Sequence, residues 1–102
     1  MANIVAFGQS TTNAGTRKQV TTNSNYSAVN SLVVQALPTN TGNVYIGDST
    51  VDAATGAGTI RILQPGEVFS AASEGLNDLD ATQLYFDVES NGDGIVGGGL
   101  ER

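Results

Sequence analysis

The chain has 102 residues, with ten acidic and four basic side chains, a formal net charge of -6, and no Cys, His or Trp. That length reads as one domain, and the missing His and Cys exclude disulfides and the usual zinc, copper and haem sites, leaving acid–base work to Asp, Glu, Lys or Tyr. The four cations, Arg17, Lys18, Arg61 and Arg102, cannot make the basic face that nucleic acid needs, and an anionic membrane surface is disfavoured for the same reason.

Val, Ile, Leu and Phe make up 25 of the 102 residues, enough for a small core. No apolar run approaches the roughly 20 residues of a membrane helix. The N-terminus lacks the basic n-region of a signal peptide, so synthesis in a cytoplasm is expected.

In chain order, residues 3–7 are a short apolar run, a strand or a docking arm. Residues 8–15 read as a loop, and 16–20 as an edge strand guarded by Arg17 and Lys18. Another Thr/Asn/Ser loop follows. Residues 1–30 are thus expected to form a polar, extended N-terminal arm with short edge strands, and residues 31–102 a β domain.

Residues 28–37 form the clearest strand, with Leu32, Val34 and Ala36 on one face. Residues 38–43 read as a turn into Val44-Tyr45-Ile46, which suggests a hairpin. Residues 47–59 are a loop with Val51 as an internal anchor. Ile60 and Ile62 share one face of the next strand, opposite Arg61. Pro65-Gly66 suits the centre of a type II turn, and Val68-Phe69 resumes the extended run. Leu76 and Leu79 allow one helical turn facing the core. Leu84, Phe86 and Val88 then alternate inward, with Tyr85 and Asp87 outward. Residues 90–94 read as a hairpin loop, because Asn-Gly tolerates positive φ, and Ile95-Val96 as the return strand. Six to eight short strands separated by turn signals predict an all-β fold, a small antiparallel β-sandwich or jelly-roll-like barrel.

Chemistry is sparse. Asp87, Glu89, Asn91 and Asp93 alternate with Gly92 at the sixth position, as in the first half of an EF-hand loop. Position 12 would be Gly98 rather than a bidentate Glu, and the flanks read as strands. A solvated hairpin loop is therefore expected, with no cofactor, and these four residues stand as the candidate calcium ligands. Glu74, Asp78 and Asp80 form a second acidic group without the aromatic cleft that glycoside hydrolysis needs. The glycines at 56–58 and 97–99 lack the residues that complete a nucleotide loop. Asn25-Tyr26-Ser27 matches a glycosylation sequon. No catalytic residue is assigned. Tyr45 and Tyr85, outward by period two, are candidates for a contact face, since Tyr adds contact area at little entropic cost.

The segments Leu32-Val-Val-Gln-Ala-Leu-Pro-Thr-Asn-Thr-Gly-Asn-Val-Tyr-Ile-Gly and Ile62-Leu-Gln-Pro-Gly-Glu-Val-Phe, followed by residues 79–86, resemble small β-sandwich virion proteins of tailed bacteriophages. The resemblance spans residues 31–96 and rests on structural motifs. It implies a non-enzymatic capsid decoration (cement) protein, or a head-fibre base, bound to the major capsid protein on the virion surface. It also implies a homo-oligomer, with a trimer favoured. A tail or head-completion component, and a carbohydrate- or calcium-binding β module, are the alternatives. Ile4, Val5 and Phe7 of the arm, with Tyr45 and Tyr85, are then the expected capsid or subunit contacts.

Overall fold

The computed structural model describes residues 4–22, 27–29, 32–70 and 78–100. Among these residues the chain forms ten strands: β1 (Ile4–Thr11), β2 (Lys18–Gln19), β3 (Ser27–Val29), β4 (Val33–Ala36), β5 (Val44–Gly47), β6 (Thr59–Leu63), β7 (Val68–Ser70), β8 (Asp78–Asp80), β9 (Tyr85–Val88) and β10 (Gly94–Leu100). A single 3-10 turn covers Ala81–Gln83. No helix among the described residues is long and apolar enough to cross a membrane.

Two four-stranded antiparallel sheets pack face to face, in the orders β1-β10-β4-β7 and β2-β9-β5-β6, and β3 pairs with β8 as a separate ribbon. Apart from β5 and β6, which are consecutive and pair directly, adjacent strands of each sheet are distant in sequence, and the chain otherwise crosses from one sheet to the other. This is the eight-stranded jelly roll, in which two Greek keys are wound together. The expected all-β sandwich is therefore present, in its jelly-roll form.

The core follows from period-two alternation. Val34, Ala36, Phe69 and Ile95 face inward from the first sheet; Val44, Ile46, Leu63, Phe86 and Val88 face them from the second, all at most 2 % exposed. Each of these side chains except Ala36 contributes about 1.5–3 kcal/mol relative to leaving it in water. Val51 is fully buried within the 48–58 loop, as expected of an internal anchor. The Pro65-Gly66 turn also forms as read: Glu67 N–H donates to the Gln64 carbonyl at 2.9 Å, and Gly66 has φ 85.

Several local points refine the expectations. First, the expected edge strands of the N-terminal stretch are present, β1 and β2 lying at the edges of the two sheets, so β1 belongs to the sandwich. β1 pairs with β10 from Ile4↔Leu100 to Thr11↔Gly94, and Phe7 packs against the core. An apolar run beside a glycine-rich partner strand has a complete ladder to join, and this outweighs the polar character of the stretch after it.

Second, residues 38–43 do not close a hairpin. β4 and β5 lie in different sheets, so the segment arches across the core, as Leu32/Val34/Ala36 and Val44/Ile46 must be buried from opposite sides. Third, residues 90–94 form a second arch for the same reason, carrying the chain from β9 in one sheet to β10 in the other. Leu79 lies in β8, where it pairs with Ala28, rather than in a helical turn. Leu76 and the Asn25-Tyr26 part of the sequon lie outside the described residues.

Candidate functional site

The two arches stack side by side, because β4 neighbours β10 and β5 neighbours β9. The four candidate calcium ligands all fall at this end, and each is directed at a different part of the backbone. Asp93 accepts from the Thr41 N–H at 3.1 Å and the Gly42 N–H at 2.9 Å. Glu89 accepts from the Asn43 N–H at 2.7 Å. Asn91 Oδ1 accepts from the Ala14 N–H at 2.9 Å. Asp87 is 1 % exposed. Its Oδ1 accepts from Gly15 and Val88, at 3.1 and 2.8 Å, and its Oδ2 from Ala53 at 2.8 Å.

Among the described residues no group of three His, Cys, Asp or Glu side chains is arranged to hold a metal ion. The alternating carboxylates act instead as backbone acceptors that tie loops together. An unpartnered buried carboxylate would be costly, and three N–H donors at Asp87 offset that cost. Asp87 lies on the outward face of β9, as period two requires, yet the 12–16 and 51–58 loops cover it. Ala14, Gly15, Ala53 and Ala54 line an open hollow above it.

Asn40 was not distinguished by the sequence, where it is one of several turn-forming residues. It is 9 % exposed and sits between the arches with its amide turned onto β10.

The second candidate region is the outward face of β5 and β6. Tyr45 is directly opposite Ile62, and Tyr85 lies diagonally across, opposite Gly47. Both tyrosines are half-buried. The Tyr45 hydroxyl donates to Glu89 Oε2 at 3.3 Å. Burial, then the nearby Glu89 charge and this hydrogen bond, raise the Tyr45 phenol above its ordinary 10.0.

Ile60 and Ile62 share one face as expected, and that face is the solvent side, at 52 % and 45 % exposed. On the outward side of the other sheet, Val33 and Val68 are similarly exposed. Alternation reveals which residues share a face, while the cross-strand register decides which face meets the core. The signal available in the sequence was Leu63, whose inward position forces Ile62 outward. Of the expected contact residues, Tyr45 and Tyr85 are thus brought to one face. Phe7 faces the core, and Ile4 and Val5 lie on the β1 ladder at the opposite edge of the fold.

No family model matches the chain, and neither a curated protein nor a solved structure matches it significantly.

Proposed function

We propose that the chain is a non-enzymatic structural protein of a tailed-phage virion. In this reading it is a capsid decoration protein that binds and stabilises the lattice of the major capsid protein. The observation that carries this reading is the set of large aliphatic side chains, Ile60, Ile62, Val33 and Val68, held in solvent on rigid strands. Burying such side chains against a partner supplies association energy, and β-strands hold them with little ordering cost.

The strand order supports the same reading, because jelly rolls recur in viral capsid domains. Lectins and cupins use the fold as well, so the reading rests on the surface rather than on the fold. These side chains lie on the two opposite outer faces, one pair on each sheet, and a single copy would bind modestly through either small face. Trimerisation would let several faces bind one capsid axis together, raising avidity without new contacts.

Quantitative mass spectrometry of purified virions, with the major capsid protein as the internal standard, tests the proposal. Hundreds of copies per particle support a decoration role. A handful would move the chain to the tail or connector, and none would overturn the virion reading.

A further inference from the structure

Asn91-Gly92 is the one Asn-Gly pair in the sequence. Asn-Gly is the dipeptide at which a backbone nitrogen most readily reaches a side-chain amide, since glycine leaves the approach open. Both residues are exposed, at the tip of the 90–94 arch. The reaction would have the Gly92 nitrogen attack Asn91 Cγ, expelling ammonia and closing a succinimide. Water would then open the ring at either carbonyl, leaving aspartate or isoaspartate at position 91.

Attack requires the two atoms to meet at about 3–3.5 Å with the nitrogen free. Here each is held by a different hydrogen bond. The Gly92 N–H donates to the Thr12 carbonyl at 2.9 Å. The Asn91 side chain accepts from the Ala14 N–H at 2.9 Å. Both restraints come from one short segment, residues 12–14, which leads from β1 into the next turn. If that segment lifts, both are lost together.

We propose that Asn91-Gly92 is a deamidation site gated by the 12–16 loop, closed in the fold and opened by local release of that loop. The isoaspartyl product would be a one-way mark. Its extra backbone methylene displaces the Gly92 N–H from the Thr12 carbonyl, so the loop could not re-form its original contacts.

The 12–16 loop offers a clean way to remove one restraint. The Thr16 N–H donates to the Asn13 carbonyl at 2.9 Å. Gly15 has φ 83, and no non-glycine residue among those described has positive φ. This is a type II turn with Ala14 at its second position, where proline is favoured. Ala14→Pro therefore suits the turn and deletes only the N–H that holds Asn91.

The test follows isoaspartate and aspartate formation at residue 91 by peptide mapping of the full chain, incubated in mildly alkaline buffer, folded and in urea. The folded protein is expected to react at least about tenfold more slowly than the unfolded chain, as protection by a closed local state implies. Ala14→Pro is expected to accelerate the folded reaction, and Asn91→Gln to abolish the product. Equal rates in the folded and unfolded chain would overturn the proposal, as would a folded Ala14→Pro variant with the wild-type rate. Should that variant fail to fold, hydrogen exchange at the wild-type Gly92 amide decides. Exchange and deamidation rising together with sub-denaturing urea supports the gate, and an unprotected amide refutes it.

Discussion

The side chain of Asn40 pairs with the backbone of Gly94 as if it were a strand residue: its Nδ2 donates to the Gly94 carbonyl at 2.8 Å and its Oδ1 accepts from the Gly94 N–H at 3.0 Å. The Gly94 carbonyl also receives the Leu37 N–H at 3.0 Å, so the N–H alone depends on Asn40. Asn40→Ala is therefore expected to destabilise the fold by about 1–3 kcal/mol, the cost of one unpaired buried donor. Chemical denaturation measures it. Gly94→Ala should be far worse, because a Cβ there would lie 2.1 Å from the Ser10 carbonyl oxygen. Little or no folded protein is the expected result.

Asp87 holds two loops over the outward face of β9. Asp87→Asn keeps the size of the side chain but turns an NH2 group toward backbone donors. We expect a loss of about 1–3 kcal/mol, and a larger loss for Asp87→Ala. Hydrogen exchange should accelerate at Gly15 and Ala53 before it does in β5 or β9. Uniform acceleration would mean that Asp87 supports the whole sandwich rather than these loops.

Asp93 separates the two uses of an acidic loop. As a backbone acceptor it stabilises the 38–43 arch without any cation. Asp93→Ala should lower the melting temperature by about 4–8 °C for each kcal/mol lost, by the same amount in calcium and in chelator. The wild-type melting temperature should not rise with calcium. A calcium-dependent rise that vanishes in Asp93→Ala would restore the cation site.

Tyr45 gives the surface a pH signature. Its folded pKa is raised above 10.0 by burial and by Glu89, so the folded state keeps the phenolic proton at pH values where the unfolded chain has released it. The resulting stability is complete below the unfolded pKa and declines as pH rises through the folded one. Ultraviolet titration of tyrosinate should show Tyr45 ionising late. Glu89→Gln should move it earlier, by removing the repelling charge, without restoring the ordinary value, because burial remains.

What was legible in the sequence was local. Leu84, Phe86 and Val88, like Val44 and Ile46, alternate inward as the pleat requires, and Pro65-Gly66 makes the turn its chemistry favours. Pairing was not legible. Thr39 to Gly42 and Ser90 to Gly92 have the composition of hairpin loops, yet each crosses the core. Turn chemistry specifies how sharply the chain reverses, and the choice between joining one sheet and changing sheets rests on which distant strand completes the ladder. For the same reason Asn40 was hidden among turn residues, since its partner, Gly94, is 54 residues away. The acidic alternation from Asp87 to Asp93 was visible, but apart from the neighbouring Val88 N–H its donors come from residues 14–15, 41–43 and 53, which only the fold assembles.

The ladder between β1 and β10 joins Ile4 to Leu100, so the first strand of the sandwich has its only strand partner among the last residues described. Pairing over so long a separation is slow, because the loop entropy must be overcome before any contact offsets it. During synthesis β1 would emerge from the ribosome with its apolar Ile4, Val5 and Phe7 uncovered, and it would stay so until β10 had followed. A crowded assembly site would meet this strand as an open template before it met the finished protein. Slowing translation between β1 and β10 should then lower the soluble yield.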